Sequence, residues 1–411
     1  MGLLGGDRCF LVEVVCVSTG ARRLPRRLRW SRGGLVWLSV GLVVAAGIGV
    51  GVDRALVAGQ PTRPEFMQGV LNRLVTGPDR LAPGVTVYVS GPHGTWAGSA
   101  GVADVKTGKP MPSGARMRIE SASKTWLVAV ALQLVQEGKL SLDDTVDQWL
   151  PGLLRAHGSE ITLRQLMSNS SGLIDDNDIT RATPAENQAR LARVGDPKAR
   201  AQLLATAARI RANPAAEVSP LLWIRLAAWQ PLIAPPGTAY HHSNIGWNVA
   251  GLVVAKAAGK PLPLVYRERI FQPLKLRNTA YDPQGPIAGA HAHGYELGAG
   301  GAVTDATAWH SGKGADGAIV TNAKDWARFL TALVDGKLLH LSTLTELGSG
   351  DPSGCGGPAV RSDIGAGDGY ESHFVAAVDG SRVAVLLLNG RRPAETGDRA
   401  TAALASLYCA A

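Results

Sequence analysis

The sequence predicts an α/β chain of the α+β kind, with strand-bearing ends around an inserted all-helical domain and an N-terminal transmembrane helix ahead of both. Three observations predict it. Residues 85–89 alternate as a strand and the C-terminal third reads as strands and helices, while residues 175–231 are helical and rich in Ala and Arg. Residues 124–135 carry Trp126, Leu127, Val128, Val130, Leu132, Leu134 and Val135, leaving almost no polar face, as expected of a helix buried in the centre of a protein. Residues 33–52 contain no charged side chain.

That charge-free segment would span roughly 30 Å as a helix, one bilayer core. Six arginines from Arg22 to Arg32 precede it, and Asp53 and Arg54 close it. The positive flank puts the N-terminus in the cytoplasm and everything after Val52 outside. The segment reads either as an uncleaved signal anchor or as a long signal peptide, so the protein is expected in the cell membrane as a single-pass chain, or secreted. Residues 1–60 are the basic segment and anchor; residues 61–411 are the globular domain, with a helical part at about 161–268.

Composition excludes some classes of function. The net charge of +9 is concentrated at the start: residues 1–60 carry +5, leaving +4 for the other 351 residues, too little and too dispersed for a nucleic-acid partner. No P-loop, dinucleotide glycine motif or solenoid-period repeat is present. Cys9 and Cys16 precede the membrane segment and Cys355 and Cys409 follow it, with no Cys-x-x-Cys spacing. A bridge between Cys355 and Cys409 would close a loop of about 55 residues and add about 4 kcal/mol in the chain-entropy account. His291 and His293 share one strand face, but no third ligand is indicated, and neither metal nor cofactor is expected. The run Asp175-Asp176-Asn177-Asp178 lacks the glycine and terminal glutamate of a calcium loop and reads as a solvated loop.

In chain order, a helix is expected over 64–74, a strand over 85–89, a turn at 91–94, a returning strand over 95–102 and a second turn over 104–108. The buried helix follows, opened by Ser121. Further helices are expected over 185–194, 198–212 and 219–228, then over 325–334 and 398–407, with a strand over 383–389. Ser121 and Lys124 lie one helical turn apart and therefore project from the same side. A serine with an ammonium group one turn away, at the mouth of a buried helix, is a nucleophile arrangement; the alternative is a helix-capping serine beside an incidental lysine. Ser123 has Trp126 rather than a lysine three residues on, so Ser121 is preferred.

The run from Pro83-Gly84-Val85 through Gly101-Val102-Ala103-Asp104 to Ile119-Glu120-Ser121-Ala122-Ser123-Lys124-Thr125 resembles the serine β-lactamase and DD-peptidase superfamily. It is most similar to the branch of class C β-lactamases and D-alanyl-D-alanine carboxypeptidases, which also contains esterases. Gly138-Lys139-Leu140-Ser141-Leu142-Asp143-Asp144, Asn169-Ser170-Ser171-Gly172-Leu173, Pro236-Gly237-Thr238 and Ala318-Ile319-Val320-Thr321 continue the match in order, over about residues 80–408. The resemblance implies an antiparallel sheet flanked by helices, β-lactamase/transpeptidase-like, with the active site between the sheet and the helical domain.

It also implies three catalytic elements: Ser-x-x-Lys, Tyr-x-Asn and Lys- or His-x-Gly. The first is intact, with Ser121 as nucleophile and Lys124 helping to carry its proton. In the second, His242 takes the tyrosine position while Ser243 and Asn244 match. A neutral imidazole can accept a serine proton and needs less tuning than a phenol. His242 is thus a candidate base, the alternatives being a polar filler in an inactive site or Tyr240 reaching the same space. Asn244 would bond Lys124 and the substrate amide. In the third, His310-Ser311-Gly312 lies too early, and matching back from Gly369-Tyr370 places the motif at Asp363-Ile364-Gly365. Asp363 would repel the carboxylate that a cation there normally favours, or would simply cap a turn; Gly365 permits close backbone approach. By analogy the backbone N–H groups of Ser121 and Ala366 would form the oxyanion hole.

The expected function is an extracytoplasmic serine hydrolase forming an acyl-enzyme on Ser121, with a small-molecule or peptidoglycan-peptide substrate: D-alanyl-D-alanine peptides, β-lactams or esters. The contrasting expectation is a catalytically silent penicillin-binding-like module that binds the cell envelope.

Overall fold

A computed structural model of the chain describes residues 61–180, 183–192, 194–213, 218–283, 287–298, 301–309, 313–340, 359–361, 365–392 and 397–411. The predicted membrane segment 33–52, the rest of residues 1–60, Cys355, Asp363 and His310-Ser311-Gly312 lie outside these residues. Among the described residues no single helix is long and apolar enough to cross a membrane.

Helix α1 (Arg63–Val75) delivers the chain to β1 (Gly84–Gly91), and β2 (Gly94–Asp104) returns beside it, followed by short strands β3 (Lys109–Pro110) and β4 (Met117–Arg118). Next come α2 (Lys124–Gln136), α3 (Val146–Trp149), α4 (Leu163–Met167), α5 (Asp176–Thr180), α6 (Pro184–Leu191), α7 (Pro197–Ala212), α8 (Pro220–Ala227), α9 (Asn244–Ala258) and α10 (Leu262–Tyr266). Strands then return as β5 (Ala280–Tyr281), β6 (Tyr295–Leu297), β7 (Val303–Asp305) and β8 (Ile319–Thr321), ahead of α11 (Ala323–Val334). The chain closes with β9 (Ala359–Arg361), β10 (Gly365–Gly367), β11 (Tyr370–Ala377), β12 (Val383–Leu388), β13 (Gly390–Arg391) and α12 (Asp398–Cys409).

The main sheet is antiparallel, in the order β10-β11-β12-β1-β2-β3, with β9 also pairing β11. It sets C-terminal strands beside N-terminal ones, so neither end can form it alone. Period-two alternation sends successive residues to opposite faces. Val85, Val87, Val89, Ala384, Leu386 and Leu388 face one way, onto Met67, Leu71 and Leu74 of α1 and Leu404 and Leu407 of α12. Val383, Val385, Leu387, Phe374 and Ala376 face the other way, into the core around α2, α9 and α11. The result is a helix–sheet–helix sandwich.

Helix α2 lies inside the second core, with Trp126, Leu127, Val128, Ala129 and Val130 at zero exposure, as its lack of a polar face requires. The Trp126 ring stacks on Phe329 of α11, centroids 3.8 Å apart and planes 9° from parallel. Such a pair adds about 0.5–1.5 kcal/mol beyond its buried area. One detail corrects the sequence reading. Ser121 does not open the α-helix; it lies in a separate 3-10 turn, Glu120–Ser123, and α2 starts at Lys124. The chain enters that turn through Glu120 at φ +53°, a left-handed conformation that an α-helix cannot contain.

Candidate active site

The Glu120–Ser123 turn is held from three sides. Met117 and Arg118 of β4 pair with Thr321 and Val320 of β8, and the Ile119 N–H donates to Ile319 O at 3.1 Å. The hydroxyl of Ser123 accepts the Ile319 N–H at 3.1 Å, so this second serine is a buried pin. From the sheet side, Ser372 of β11 donates to Ile119 O at 2.7 Å. Gly365 of β10 backs directly onto the turn: a Cβ there would stand 2.2 Å from Ile119 O and 3.0 Å from the Ala122 nitrogen. Ala366 follows Gly365 in β10, paired with Glu371.

Beneath the turn Glu120 is 3% exposed and forms an ion pair with the buried Lys313, which also lies 3.1 Å from Asp368. Burial pushes the Glu120 carboxyl up to about 7 against the pull of Lys313, with Asp368 adding to the rise. Burial works against the Lys313 ammonium as well, but Asp368 and Glu120 outweigh it and hold its pKa above the ordinary lysine value. Neither Glu120 nor Lys313 was singled out in the sequence as part of a site; they are 193 residues apart.

The serine, lysine and asparagine converge. Lys124 Nζ donates to Ser121 Oγ at 2.7 Å and to Asn244 Oδ1 at 3.0 Å. Asn244 is the first residue of α9, placed by the preceding Ser243, whose hydroxyl caps the helix by accepting the Gly246 N–H at 3.0 Å. Ser243 is in turn fixed by donating to Ile174 O. Asn169, at φ +53°, anchors the approach to α9. It accepts from the Ser243 N–H and from Trp247 Nε1, and its carbonyl takes the His241 N–H.

His242 is held by a carboxylate. Its Nδ1 lies 3.0 Å from Asp175 Oδ2, while its neighbour His241 pairs through Nε2 with Asp178 at 3.0 Å. Tyr240, the alternative for the same place, is 59% exposed at the surface. The run Asp175–Asp178, read from sequence as a solvated loop, is instead part of the site. Asp175 is 5% exposed and accepts from the backbone N–H groups of Asp176 and Asn244 and from Asn177 Nδ2, besides facing His242. Asn244 Nδ2 donates to Asp176 Oδ1 at 3.1 Å. The physical reason is that Asp175 terminates backbone donors at the starts of α5 and α9, which removes its carboxylate from solvent.

Burial opposes ionisation of Asp175, but His242, Asp176 and Asn177 outweigh it and hold the carboxyl well below the usual range. Burial, then the neighbouring Asp175 carboxylate, keep Asp176 well above that range. Asp316, also buried and raised by burial, feels Lys124 and accepts the Gly314 N–H at 2.7 Å. A short polar run just after a Ser-Gly-Leu turn was the signal in the sequence for Asp175 and Asp176; Asp316 and Lys313 gave none. His293 pairs with Asp305 at 2.9 Å and stands apart from these groups.

Chemically, the cluster offers a hydroxyl hydrogen-bonded to an ammonium, an amide bridging that ammonium to a buried carboxyl, and an imidazole fixed by a carboxylate. That inventory suits nucleophilic acyl transfer.

A family model described as Beta-lactamase matches residues 66–408. Among curated relatives, a D-aminopeptidase of Cereibacter sphaeroides is 29% identical over 179 residues, 44% of this chain and 29% of the relative. Esterase EstB of Burkholderia gladioli is 27% identical over 202 residues, 44% of this chain and 42% of the relative. The chain thus spans less than half the length of these curated relatives. Among solved structures, a D-stereospecific amidohydrolase from Streptomyces sp. aligns with a TM-score of 0.63 and 25% identity, over 79% of this chain and 93% of that one.

Proposed function

The chain belongs to the beta-lactamase family, and on that premise we propose that it is a serine hydrolase working through an acyl-enzyme on Ser121. The observation that carries this reading is the convergence of Ser121 Oγ, Lys124 Nζ and Asn244 Oδ1 within 3.0 Å steps at the end of a buried helix. The Ser121 oxygen attacks an acyl carbon, and the backbone N–H groups of Ser121 and Ala366 receive the developing oxyanion, a contribution of about 3–4 kcal/mol per donor where it has been removed elsewhere. Lys124 donates to the reacting oxygen and Asn244 holds Lys124 and the acyl amide. The close packing of Gly365 on the nucleophile turn supports the placement of β10 along the substrate. No cofactor enters this chemistry.

Three substrate classes fit: D-alanyl-D-alanine peptides, β-lactams, and esters or simple amides. An aspartate, Asp363, in place of the third-motif cation favours acyl donors without a carboxylate beside the scissile bond. The names of the relatives, a D-aminopeptidase, an esterase and an amidohydrolase, agree with that preference. The same reading places the domain outside the cytoplasm behind the segment at 33–52. We also assign a disulfide between Cys355 and Cys409; peptide mapping without reductant should recover the two cysteines in one linked peptide.

The test is to treat the purified full chain with a fluorophosphonate and with a fluorescent penicillin, then map the labelled peptide. Fluorophosphonate on Ser121 with little penicillin is expected for an ester or amide hydrolase; both labels would point to peptidoglycan or β-lactam substrates. The second reading, a silent envelope-binding module, draws on the bonding of His242 to Asp175 in place of Ser121. Absence of both labels from Ser121 would select it.

A further inference from the structure

His242 occupies the position where a phenol is expected, and its ring is gripped by a carboxylate that the sequence reads as part of a solvated loop. We propose that Asp175 is a positioning residue that makes His242 the proton shuttle of this site, an aspartate–imidazole pair standing in for the phenol. The inference rests on the reading of Ser121 as nucleophile and adds to it the identity of the group that moves the proton.

Geometry carries it. A carboxylate only accepts, so the 3.0 Å contact from Asp175 Oδ2 puts the ring hydrogen on Nδ1 of His242 and leaves the Nε2 lone pair as the acceptor in the neutral ring. The His242 side chain is 34% exposed and its Asp175 partner 7%, so the imidazole looks outward from a buried support. Asp175 cannot swing away, because the N–H groups of Asp176 and Asn244 and the amide of Asn177 hold it at 3.0, 2.8 and 2.9 Å. One of those donors belongs to Asn244, the residue that receives Lys124. A single carboxylate therefore sets the shuttle and the Ser121–Lys124 pair in one frame.

The contacts of Lys124 point the same way. Its neighbours are Asn244, which bridges it to the carboxyl of Asp176, and the buried Asp316. Lys124 Nζ stands as donor to both Ser121 Oγ and Asn244 Oδ1. On the His242 side, Asp178 pairs with His241 Nε2 at 3.0 Å. In the acylation step the Ser121 O–H bond breaks and an O–C bond forms to the acyl carbon. The proton passes to His242 Nε2, directly or across one water, and goes from there to the leaving nitrogen or oxygen as its bond to carbon breaks. Water repeats the sequence in deacylation.

The experiment follows p-nitrophenyl acetate hydrolysis and fluorophosphonate labelling of Ser121 against pH, for wild type, Asp175→Asn, Asp175→Glu, His242→Gln and the Asn/Gln double variant. Asp175→Asn should lower kcat by about 100-fold with little change in KM. It should also lose the ascending limb that wild type shows in the range where an imidazole titrates, and the double variant should be no slower than His242→Gln. Asp175→Glu should recover part of the rate. Histidine ¹⁵N NMR gives a readout independent of turnover: Nδ1–H in wild type, a mixture of tautomers in Asp175→Asn. An unchanged pH profile in Asp175→Asn, or a double variant slower than either single one, overturns the shuttle while Ser121 labelling keeps the nucleophile. Failure of wild type to label at Ser121 overturns both.

Discussion

Gly365→Ala tests whether β10 and the nucleophile turn form one catalytic surface. The added Cβ would stand 2.2 Å from Ile119 O, 2.3 Å from Ser372 Oγ and 3.0 Å from the Ala122 nitrogen. Two of those three atoms are backbone, so no rotamer change relieves the clash. Restoring an ordinary contact of about 3.5 Å requires β10 to withdraw by roughly 1 Å. That moves Ala366 away from Ser121 by a similar amount, and a displacement of about 1 Å at a reacting centre costs about 100-fold in rate. Overpacking adds about 1–3 kcal/mol of destabilisation. The assay pairs the second-order rate of fluorophosphonate labelling at Ser121 with the thermal midpoint of the same sample. The variant should remain folded at 25 °C and label about 100-fold more slowly. Gly114→Ala is the control, since a Cβ there meets nothing within 4 Å and the rate should not change. Labelling of Gly365→Ala within twofold of wild type would refute the shared surface.

Two further outcomes follow from the same structure. Trp126→Ala removes a side chain at zero exposure that stacks on Phe329, and equilibrium urea unfolding should show a loss of about 3–5 kcal/mol; a loss below about 1 kcal/mol would contradict the packing described for α2. Glu120 has its carboxyl raised by burial from 4.5 to about 7. Its neutral form is therefore the one the fold prefers, so its contribution is complete below pH 4.5 and is lost as pH rises through about 7. The loss is on the order of 3 kcal/mol. Urea midpoints at pH 5, 6, 7 and 8 should decline more steeply for wild type than for Glu120→Gln, and equal slopes would contradict the burial of this carboxyl.

What could be read from the sequence was local. Ser121 and Lys124 are three residues apart, and their meeting needed only one turn of helix. Asn244 could be placed because its motif is short and nearly intact. The alternation at Val85, Val87 and Val89 announced a strand, but nothing local says that β12 is its neighbour, since that pairing joins residues about 300 positions apart. The same distance problem hid the Glu120–Lys313 pair. Asp175 and Asp176 were misread for a different reason. Four polar residues in a row are usually solvated, and here the donors that bury them come from His242 and Asn244, 67 and 69 positions later. Separation of Ser121 into its own turn was equally silent, because it depends on the left-handed backbone of Glu120.

The central claim is an acyl-enzyme on Ser121. Its most direct measurement is intact-protein mass spectrometry of the full chain, quenched in acid during turnover of an activated ester. Peptide mapping would follow, with Ser121→Ala and Ser123→Ala run beside it. One added acyl mass is expected on the peptide containing Ser121, retained in Ser123→Ala and absent in Ser121→Ala. An acyl group on any other residue, or hydrolysis that survives Ser121→Ala, would contradict it.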